Sequence, residues 1–361
     1  MITSQMQLLR NGREAFPEII RSIRSARESI SITIFIWRND NIGRAIAEEL
    51  LMAADRGVKV EIIKDKYGLL FEYSEEGQSS LFHHSISLSD NIKILAMEKL
   101  YNPALFSKHR AGSNSLFQKM ANHPNITLHT EEYLYDHSKI FIFDNETIIF
   151  GGINIEDKEN GEDLAGRSYH DLMVKIPVES RDAIVSNRNR PKKDFQIRSA
   201  YLKLLAEARS HIFIIMPYLS PLPQVMKLLY DAMDRGVTLE ILVPEESNFV
   251  TNLNRKTLSL LMDHAAGKSP GPKLNIYFSR NLTHTKLIYT DRAISFGSAN
   301  LTKKSFYQLG ETNLLIPNDG SPMVDSIRDY IEKEKEQARL IPDSRSINYS
   351  SVSAFFEGIL I

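Results

Sequence analysis

The chain of 361 residues contains no cysteine, which excludes disulfides, thiolate zinc sites and cysteine nucleophiles. It also lacks an excess of charge, since 44 basic and 45 acidic residues give a net charge of −1 and no overall field to attract nucleic acid or an anionic membrane. Long hydrophobic runs are missing too: the longest, 30–37, is too short to cross a bilayer, and 1–7 does not resemble a signal peptide. We therefore expect a globular protein that is cytoplasmic or peripheral on a membrane, with no signal peptide or transmembrane helix.

The sequence repeats itself between its two halves. Residues 54–63 (ADRGVKVEII) match residues 233–242 (MDRGVTLEIL). In each copy a helical pattern ends at a glycine, Gly57 or Gly236, and an apolar strand follows at once. Helices predicted at 16–26 and 200–208 lead into an earlier strand of each half. Strand, helix, glycine and strand in this order predict a βαβ unit with parallel strands in each half.

The first half is longer than the second between its repeat glycine and its later motif, which predicts an insertion around 68–122. Two interpretations are open: the insertion forms part of a substrate entrance, or it is a helical embellishment packed on the surface. Its aromatic residues are Phe71, Tyr73, Phe82, Tyr101, Phe106 and Phe117.

A loss of periodicity at 185–194 predicts a linker and two domains, 1–185 and 195–361. The basic residues of this segment either contact phosphates or are simply solvated.

Each half ends in a His-x-Lys motif, followed by an aspartate and a glycine-containing turn that leads to an asparagine. Both motifs have strand-like sequences, in which residues two apart project from the same face. A return strand then brings the asparagine back towards the His-Lys pair. Joining the halves gathers six side chains around one point: His137, Lys139, Asn154, His284, Lys286 and Asn300.

This set of side chains suits a phosphodiester. The lysines and asparagines supply donors for the charge that spreads over the phosphoryl oxygens in the transition state. One neutral histidine attacks phosphorus, and the other, protonated, delivers a proton to the leaving alkoxide and then activates water or an alcohol. We expect no cofactor and no metal, because the lysines carry the positive charge. Asp171 and Glu311, each next to a strand that follows a motif, are candidates to orient the histidines.

These motifs resemble the duplicated motif of the phospholipase D superfamily, and the resemblance extends from about residue 8 to residue 316. It implies an α/β fold of two similar lobes that form a pseudo-twofold α-β-α sandwich, with the active site at the lobe interface. Segments 35–40 (FIWRND) and 151–155 (GGINI) are most similar to bacterial cardiolipin synthases.

The resemblance also implies roles for individual residues. It favours His137 as the nucleophile and His284 as the acid and base. The residues expected to support the motifs are Asp144, Asp291, Gly151, Gly152, Gly297 and Ser298.

The leading hypothesis is a phospholipid enzyme that forms a phosphohistidine and passes the phosphatidyl group to an alcohol or to water. A monomer carries both motifs and suffices for catalysis. The alternative is a metal-independent nuclease of the same superfamily, for which segment 299–305 would contact a phosphate backbone; nucleic acid is a partner only in that case. The apolar end of the chain, including Phe355, Phe356 and Ile359, either contacts a bilayer peripherally or packs onto the core.

Overall fold

Two large β-sheets, each covered by helices, contain most of the two halves of the chain, and a third sheet of two strands joins the halves. A computed structural model describes residues 5–74, 79–83, 86–101, 114–161, 169–189, 193–248, 250–267 and 273–360, without the side chains of 96–101 and 360. The helices are α1 (Asn11–Ser25), α2 (Asn41–Asp55), α3 (Leu69–Ser74), α4 (Leu88–Tyr101), α5 (Ser115–Ala121), α6 (Ile197–Glu207), α7 (Pro223–Asp234), α8 (Thr251–Ala266), α9 (Lys303–Tyr307), α10 (Pro322–Glu336) and α11 (Ser351–Leu360). The strands are β1 (Gln7–Arg10), β2 (Ser29–Ile34), β3 (Lys59–Lys64), β4 (Ile126–His129), β5 (Ile140–Phe143), β6 (Thr147–Gly151), β7 (Tyr169–His170), β8 (Leu172–Pro177), β9 (Ile184–Arg188), β10 (Asp194–Phe195), β11 (His211–Ile215), β12 (Thr238–Pro244), β13 (Leu274–Ser279), β14 (Leu282–Thr283), β15 (Lys286–Thr290), β16 (Ala293–Gly297), β17 (Glu311–Pro317) and β18 (Ala338–Ile341).

The predicted βαβ units are present in both sheets. The first sheet has the order β1-β8-β6-β5-β2-β3-β4, and the second has the order β10-β9-β17-β16-β15-β11-β12-β13-β18. Strand β2 pairs in parallel with β3, and β11 pairs in parallel with β12, with α2 and α7 as the crossovers. Gly57 and Gly236, which follow these helices, have φ angles of 97° and 86°, a left-handed conformation that glycine adopts without a steric penalty.

The two sheets pack face to face through apolar side chains. Phe150 and Val174 of the first sheet share one buried cluster with Phe213 and Leu287 of the second, and Ile327 of α10 joins them. Fully burying a side chain of this size stabilises a fold by roughly 1.5–3 kcal/mol. Helices α1 and α2 cover the outer face of the first sheet, and α6, α7 and α8 cover that of the second. The predicted α/β sandwich of two similar lobes is confirmed.

In the described part of the predicted insertion, helices α3, α4 and α5 lie between β3 and β4, where the second half has α8 between β12 and β13. Its first turns are anchored inside the first lobe rather than laid on the surface. Lys64 and Glu72 form a fully buried ion pair at 3.0 Å, and the backbone N–H of Trp37 donates to the same carboxylate at 2.7 Å. Phe106 and the side chain of Tyr101 lie outside the described residues.

The predicted linker contributes short strands to one side of the second sheet. Within 185–194, β9 pairs with β17 and β10 pairs with β9, so this segment extends the second sheet. Such short strands carry too few residues for a periodicity to be recognised. The division into domains 1–185 and 195–361 stays a prediction.

Helix α11 carries the apolar end of the chain. It packs on α8, and the Glu357 carboxylate accepts hydrogen bonds from the first N–H groups of that helix. Phe355, Phe356 and Ile359 are 64%, 60% and 63% exposed, so the interpretation that they pack onto the core is wrong. Along the part of the chain that the structure describes, no helix has the length and apolar character needed to cross a bilayer.

Candidate active site

The backbone of each histidine motif is tied to the opposite half of the chain. The N–H group of His137 donates to the carbonyl of Gly310 at 2.8 Å, and that of His284 donates to the carbonyl of His170 at 2.7 Å. Strand β5 begins at Ile140 and β15 begins at Lys286, so both histidines precede their strands, and the strand predicted over each motif is wrong at its start. Because each motif binds the opposite half, His137 lies beside Glu311, the residue after Gly310. His284 likewise lies beside Asp171, the residue after His170.

Each histidine ring is held by the acid of the other half. Nδ1 of His137 lies 3.1 Å from Oε2 of Glu311, and Nδ1 of His284 lies 2.9 Å from Oδ2 of Asp171. Because a carboxylate only accepts hydrogen bonds, a proton on Nδ1 satisfies each pair and leaves the lone pair of Nε2 for chemistry. The site is complete only when both halves are in place.

The two motif lysines are fully buried beside these pairs. Nζ of Lys286 lies 3.1 Å from Oδ2 of Asp171 and 2.6 Å from Nδ1 of His284. Nζ of Lys139 donates to the carbonyl of His137 at 2.6 Å. Burial and the nearby charge of Lys286 lower the pKa of Lys139 to about 7, and burial also lowers the pKa of Lys286. Two crowded, desolvated cations of this kind favour binding of an anion between them.

Burial and the lysine charges favour the neutral form of both histidines. Burial, followed by the charge of Lys139, lowers the pKa of His137. Burial, followed by the charge of Lys286, lowers the pKa of His284 to about 3. A bound phosphate would offset the lysine charges, so protonation of one histidine would accompany substrate binding.

The two asparagines lie in this buried region with unused acceptor atoms. Oδ1 of Asn154 and Oδ1 of Asn300 are buried and have no hydrogen-bond partner among the described residues. The backbone N–H of Asn154 donates to Glu159 Oε1, and that of Asn300 donates to Ser305 Oγ, both at 3.2 Å. A buried polar atom without a partner is costly, which is consistent with a site that a polar ligand completes.

The two motif aspartates bind backbone away from the reacting groups. Asp144 accepts from the N–H groups of residues 27–29, and Asp291 accepts from those of residues 209–211. Each ties the turn after its motif strand to the loop before β2 or β11. This geometry supports the predicted structural role of both residues.

The glycine-containing turns make room for the orienting acids. A Cβ on Gly152 would lie 2.3 Å from the Asp171 carboxylate, and a Cβ on Gly151 or Gly297 would lie 2.2 Å from a backbone oxygen of the adjacent strand. At the position of Gly152, the second half has Ser298, whose hydroxyl donates to Glu311 at 2.6 Å. The Asp171 carboxylate therefore packs closely against a glycine, whereas the Glu311 carboxylate accepts a hydrogen bond from a serine.

Sequence reasoning missed Glu159 and Ser305. Each is the fifth residue after its motif asparagine, and that shared spacing was the available signal. Ser305 donates to Glu311 at 2.7 Å. Glu159 is fully buried, and burial together with repulsion from Glu156 and Asp171 raises its pKa well above the usual range. We infer that Glu159 is protonated in the folded protein, since Asp171 is the acid that has Lys286 and His284 as partners.

A protonated Glu159 predicts a pH-dependent gain in stability for Glu159→Gln. In the unfolded chain this carboxyl ionises near its ordinary pKa, so the folded protein loses stability as pH rises from there towards the raised folded pKa. Glutamine has no such proton to lose. We expect the melting temperature of Glu159→Gln to exceed that of the native chain at pH 8, and the difference to shrink towards pH 4. A difference that stays constant across this pH range in thermal unfolding would contradict the assignment.

Known proteins resemble this chain in sequence and in fold. Residues 19–177 and 201–335 match the family described as "Cardiolipin synthase, PLD-like domain". The chain belongs to this family. Cardiolipin synthase B of Shigella flexneri and that of Escherichia coli K12 are each 24% identical to it over 350 residues, which cover 87% of this chain and 76% of theirs. The crystal structure of phosphatidylserine synthase from Haemophilus influenzae Rd KW20 matches 98% of this chain and 92% of its own, with a TM-score of 0.68 and 14% identity.

Membership of this cardiolipin synthase, phospholipase D-like family confirms the predicted superfamily and enzyme class. The chain is a phospholipid-modifying enzyme of the phospholipase D type. The nuclease alternative gains no better support from these comparisons. The roles predicted for individual side chains remain proposals.

Proposed function

We propose that the chain transfers a phosphatidyl group from a phospholipid to an alcohol through a phosphohistidine on His137. The observation that carries this proposal is the pair of histidines, each held by an acid of the opposite half, beside two buried lysines. The relatives are named cardiolipin synthases, and for that reason we propose an alcohol in preference to water as the acceptor.

The proposed reaction has two balanced steps. Nε2 of His137 attacks phosphorus, the bond from phosphorus to the departing alkoxide breaks, and His284 gives that alkoxide its proton. His284, now neutral, takes a proton from the incoming alcohol, whose oxygen attacks phosphorus as the bond to His137 breaks. Lys139 and Lys286 stabilise the charge on the phosphoryl oxygens in both steps.

Segment 299–305, which the nuclease alternative would use to hold a phosphate backbone, presents two adjacent lysines rather than a stripe of cations. Ala299, Asn300, Leu301, Thr302 and Ser305 are buried, whereas Lys303 is exposed and Lys304 is half-buried. A sequence-independent contact to a nucleic acid needs accessible cations along the strand.

A parallel assay of purified protein without added metal tests the proposed function. One arm offers phosphatidylglycerol vesicles with and without added glycerol or ethanol, and the other offers single- and double-stranded DNA and RNA. We expect lipid turnover, new alcohol-headed products when alcohol is added, and no effect of a chelator, because the charge is supplied by lysines. Cleavage of nucleic acid with inert lipid would overturn the substrate class, and release of phosphatidic acid alone would make the enzyme a hydrolase.

We also propose that α11 makes a peripheral contact with the bilayer that holds the substrate. Its exposed residues Val352, Phe355, Phe356 and Ile359 recur at the spacing of one helical face, an arrangement typical of helices that lie in a membrane interface. The vesicles of the same assay provide the test, since Phe355→Ser with Phe356→Ser should reduce co-sedimentation. Unchanged co-sedimentation would contradict the contact.

A further inference from the structure

A continuous group of aromatic rings runs from the first histidine to the surface. The ring of Phe35 lies 4.9 Å from that of His137, and it contacts Tyr67 at 5.9 Å and Phe71 at 5.3 Å, all between ring centroids. Tyr67 in turn lies 5.0 Å from Tyr135. We call Phe35, Tyr67, Phe71 and Tyr135 the aromatic ledge. Phe35 is 3% exposed and Tyr135 is 36% exposed, so the ledge leads from the reacting groups outwards.

The insertion supplies and fixes part of the ledge. Tyr67 lies in a short 3-10 turn at 66–68, and Phe71 lies in α3. The buried Lys64–Glu72 pair holds this segment, and a Cβ on Gly68 would overlap the Phe35 carbonyl, so the chain approaches Phe35 as closely as glycine permits. A ledge fixed in this way can bind a ligand without first being ordered.

Among the residues that the structure describes, the ledge lies on the His137 side of the site. When the two halves are aligned by their strand pairings, Phe35 corresponds to Pro217 and Tyr67 corresponds to Glu246. The His-x-Lys motifs align Tyr135 with Leu282, so the second half has no aromatic residue at these three positions. Around His284 the rings are Tyr169 and Tyr218, at 5.3 and 6.0 Å. The apolar surface of the site is thus concentrated beside His137.

The arrangement of the rings favours an aliphatic ligand over stacked bases. Neighbouring rings of the ledge are inclined to one another by 58°, 56°, 85° and 42°, so they present edges and faces in turn and no set of parallel platforms. Base recognition on aromatic side chains relies on open, flat ring faces. Tyrosine rings with an apolar body and a polar tip suit the boundary between acyl chain and ester.

We propose that the aromatic ledge binds the acylated glycerol part of the phospholipid and so selects acylated over deacylated phosphodiesters. This inference rests on the proposed function, and it assigns the first turns of the insertion to substrate binding. Of the two interpretations of the insertion, it favours the entrance over a surface embellishment.

Water-soluble substrates test the ledge apart from any membrane contact. Tyr135 has a φ angle of 55°, which asparagine tolerates, so Tyr135→Asn removes the ring without straining the backbone. We expect Tyr135→Asn to lower kcat/KM for monomeric dihexanoyl phosphatidylglycerol about tenfold through KM, and that for glycerophosphoglycerol by less than about twofold. Tyr135→Phe should restore the native value. Leu340→Ser, on the exposed edge strand β18, is the matched control.

Equal losses on both diesters would overturn the ledge as a selective surface, and a larger loss on a thymidine dinucleotide would assign it to bases. Phe71→Ser repeats the comparison at a second ring. If the native chain turns over none of these diesters, the proposed function fails. Calorimetric binding of dihexanoyl phosphatidylglycerol then still tests the ledge, and equal affinities of the native chain and Tyr135→Asn would refute it.

Discussion

His137→Ala and His284→Ala are each expected to reduce phospholipid turnover by about 10⁴-fold or more, because one removes the nucleophile and the other removes the acid and base. Both rings lie in one site, so neither can replace the other. Steady-state turnover of phosphatidylglycerol measures the loss. His264→Ala is the matched control, since His264 pairs with Asp234 at 2.9 Å on the outer side of the second lobe. Substantial activity in either site variant would contradict a mechanism in which both histidines act in one site.

A substrate with a good leaving group distinguishes the roles of the two histidines. A p-nitrophenyl diester needs no proton on its departing oxygen, so His284→Ala should still complete the first step. We expect a stoichiometric burst of p-nitrophenol and a phosphohistidine at His137, identified by mass spectrometry of the quenched protein. His137→Ala should give neither. A burst in His137→Ala with a modified His284 would reverse the assignment.

The internal repeat made much of the fold predictable. Matching segments around Gly57 and Gly236 identified the βαβ units, since apolar periodicity and a helix-terminating glycine are local features of the chain. The short strands β9 and β10 were not predicted, because β9 pairs with β17, which is far away in sequence, and β10 pairs only with β9.

The members of the site were predictable, whereas their pairing was not. The sequence placed Asp171 and Glu311 at equivalent positions, and a partner within the same half was as plausible as one across the interface. The pairing of each histidine with the acid of the opposite half depends on the hydrogen bonds from His137 to Gly310 and from His284 to His170. These are tertiary contacts without a sequence signal. The ring of Phe35 against His137 is likewise a contact between distant segments.

Asp171→Asn is expected to lower kcat for phosphatidylglycerol about 10⁴-fold, the order of loss that follows when a catalytic histidine loses its orienting carboxylate. One carboxylate oxygen serves both Nδ1 of His284 and Nζ of Lys286. An amide NH₂ group in its place would donate to Nδ1, move the ring proton to Nε2 and leave a buried lysine without its counter-charge. The defect should therefore fall on proton transfer by His284 and on charge stabilisation together.

Glu311→Gln provides the comparison that tests the crossed arrangement of the two acids. Glu311 orients His137, so its loss should weaken the attack itself, and a p-nitrophenyl leaving group should not rescue it. The same substrate should recover much of the first-step rate in Asp171→Asn, because departure no longer needs a proton. Asp234→Asn, in the acid–histidine pair outside the site, is the control for loss of such a pair alone. If the activated substrate rescued Glu311→Gln and left Asp171→Asn impaired, the acid serving the nucleophile would be Asp171, and His284 would be the residue that attacks phosphorus.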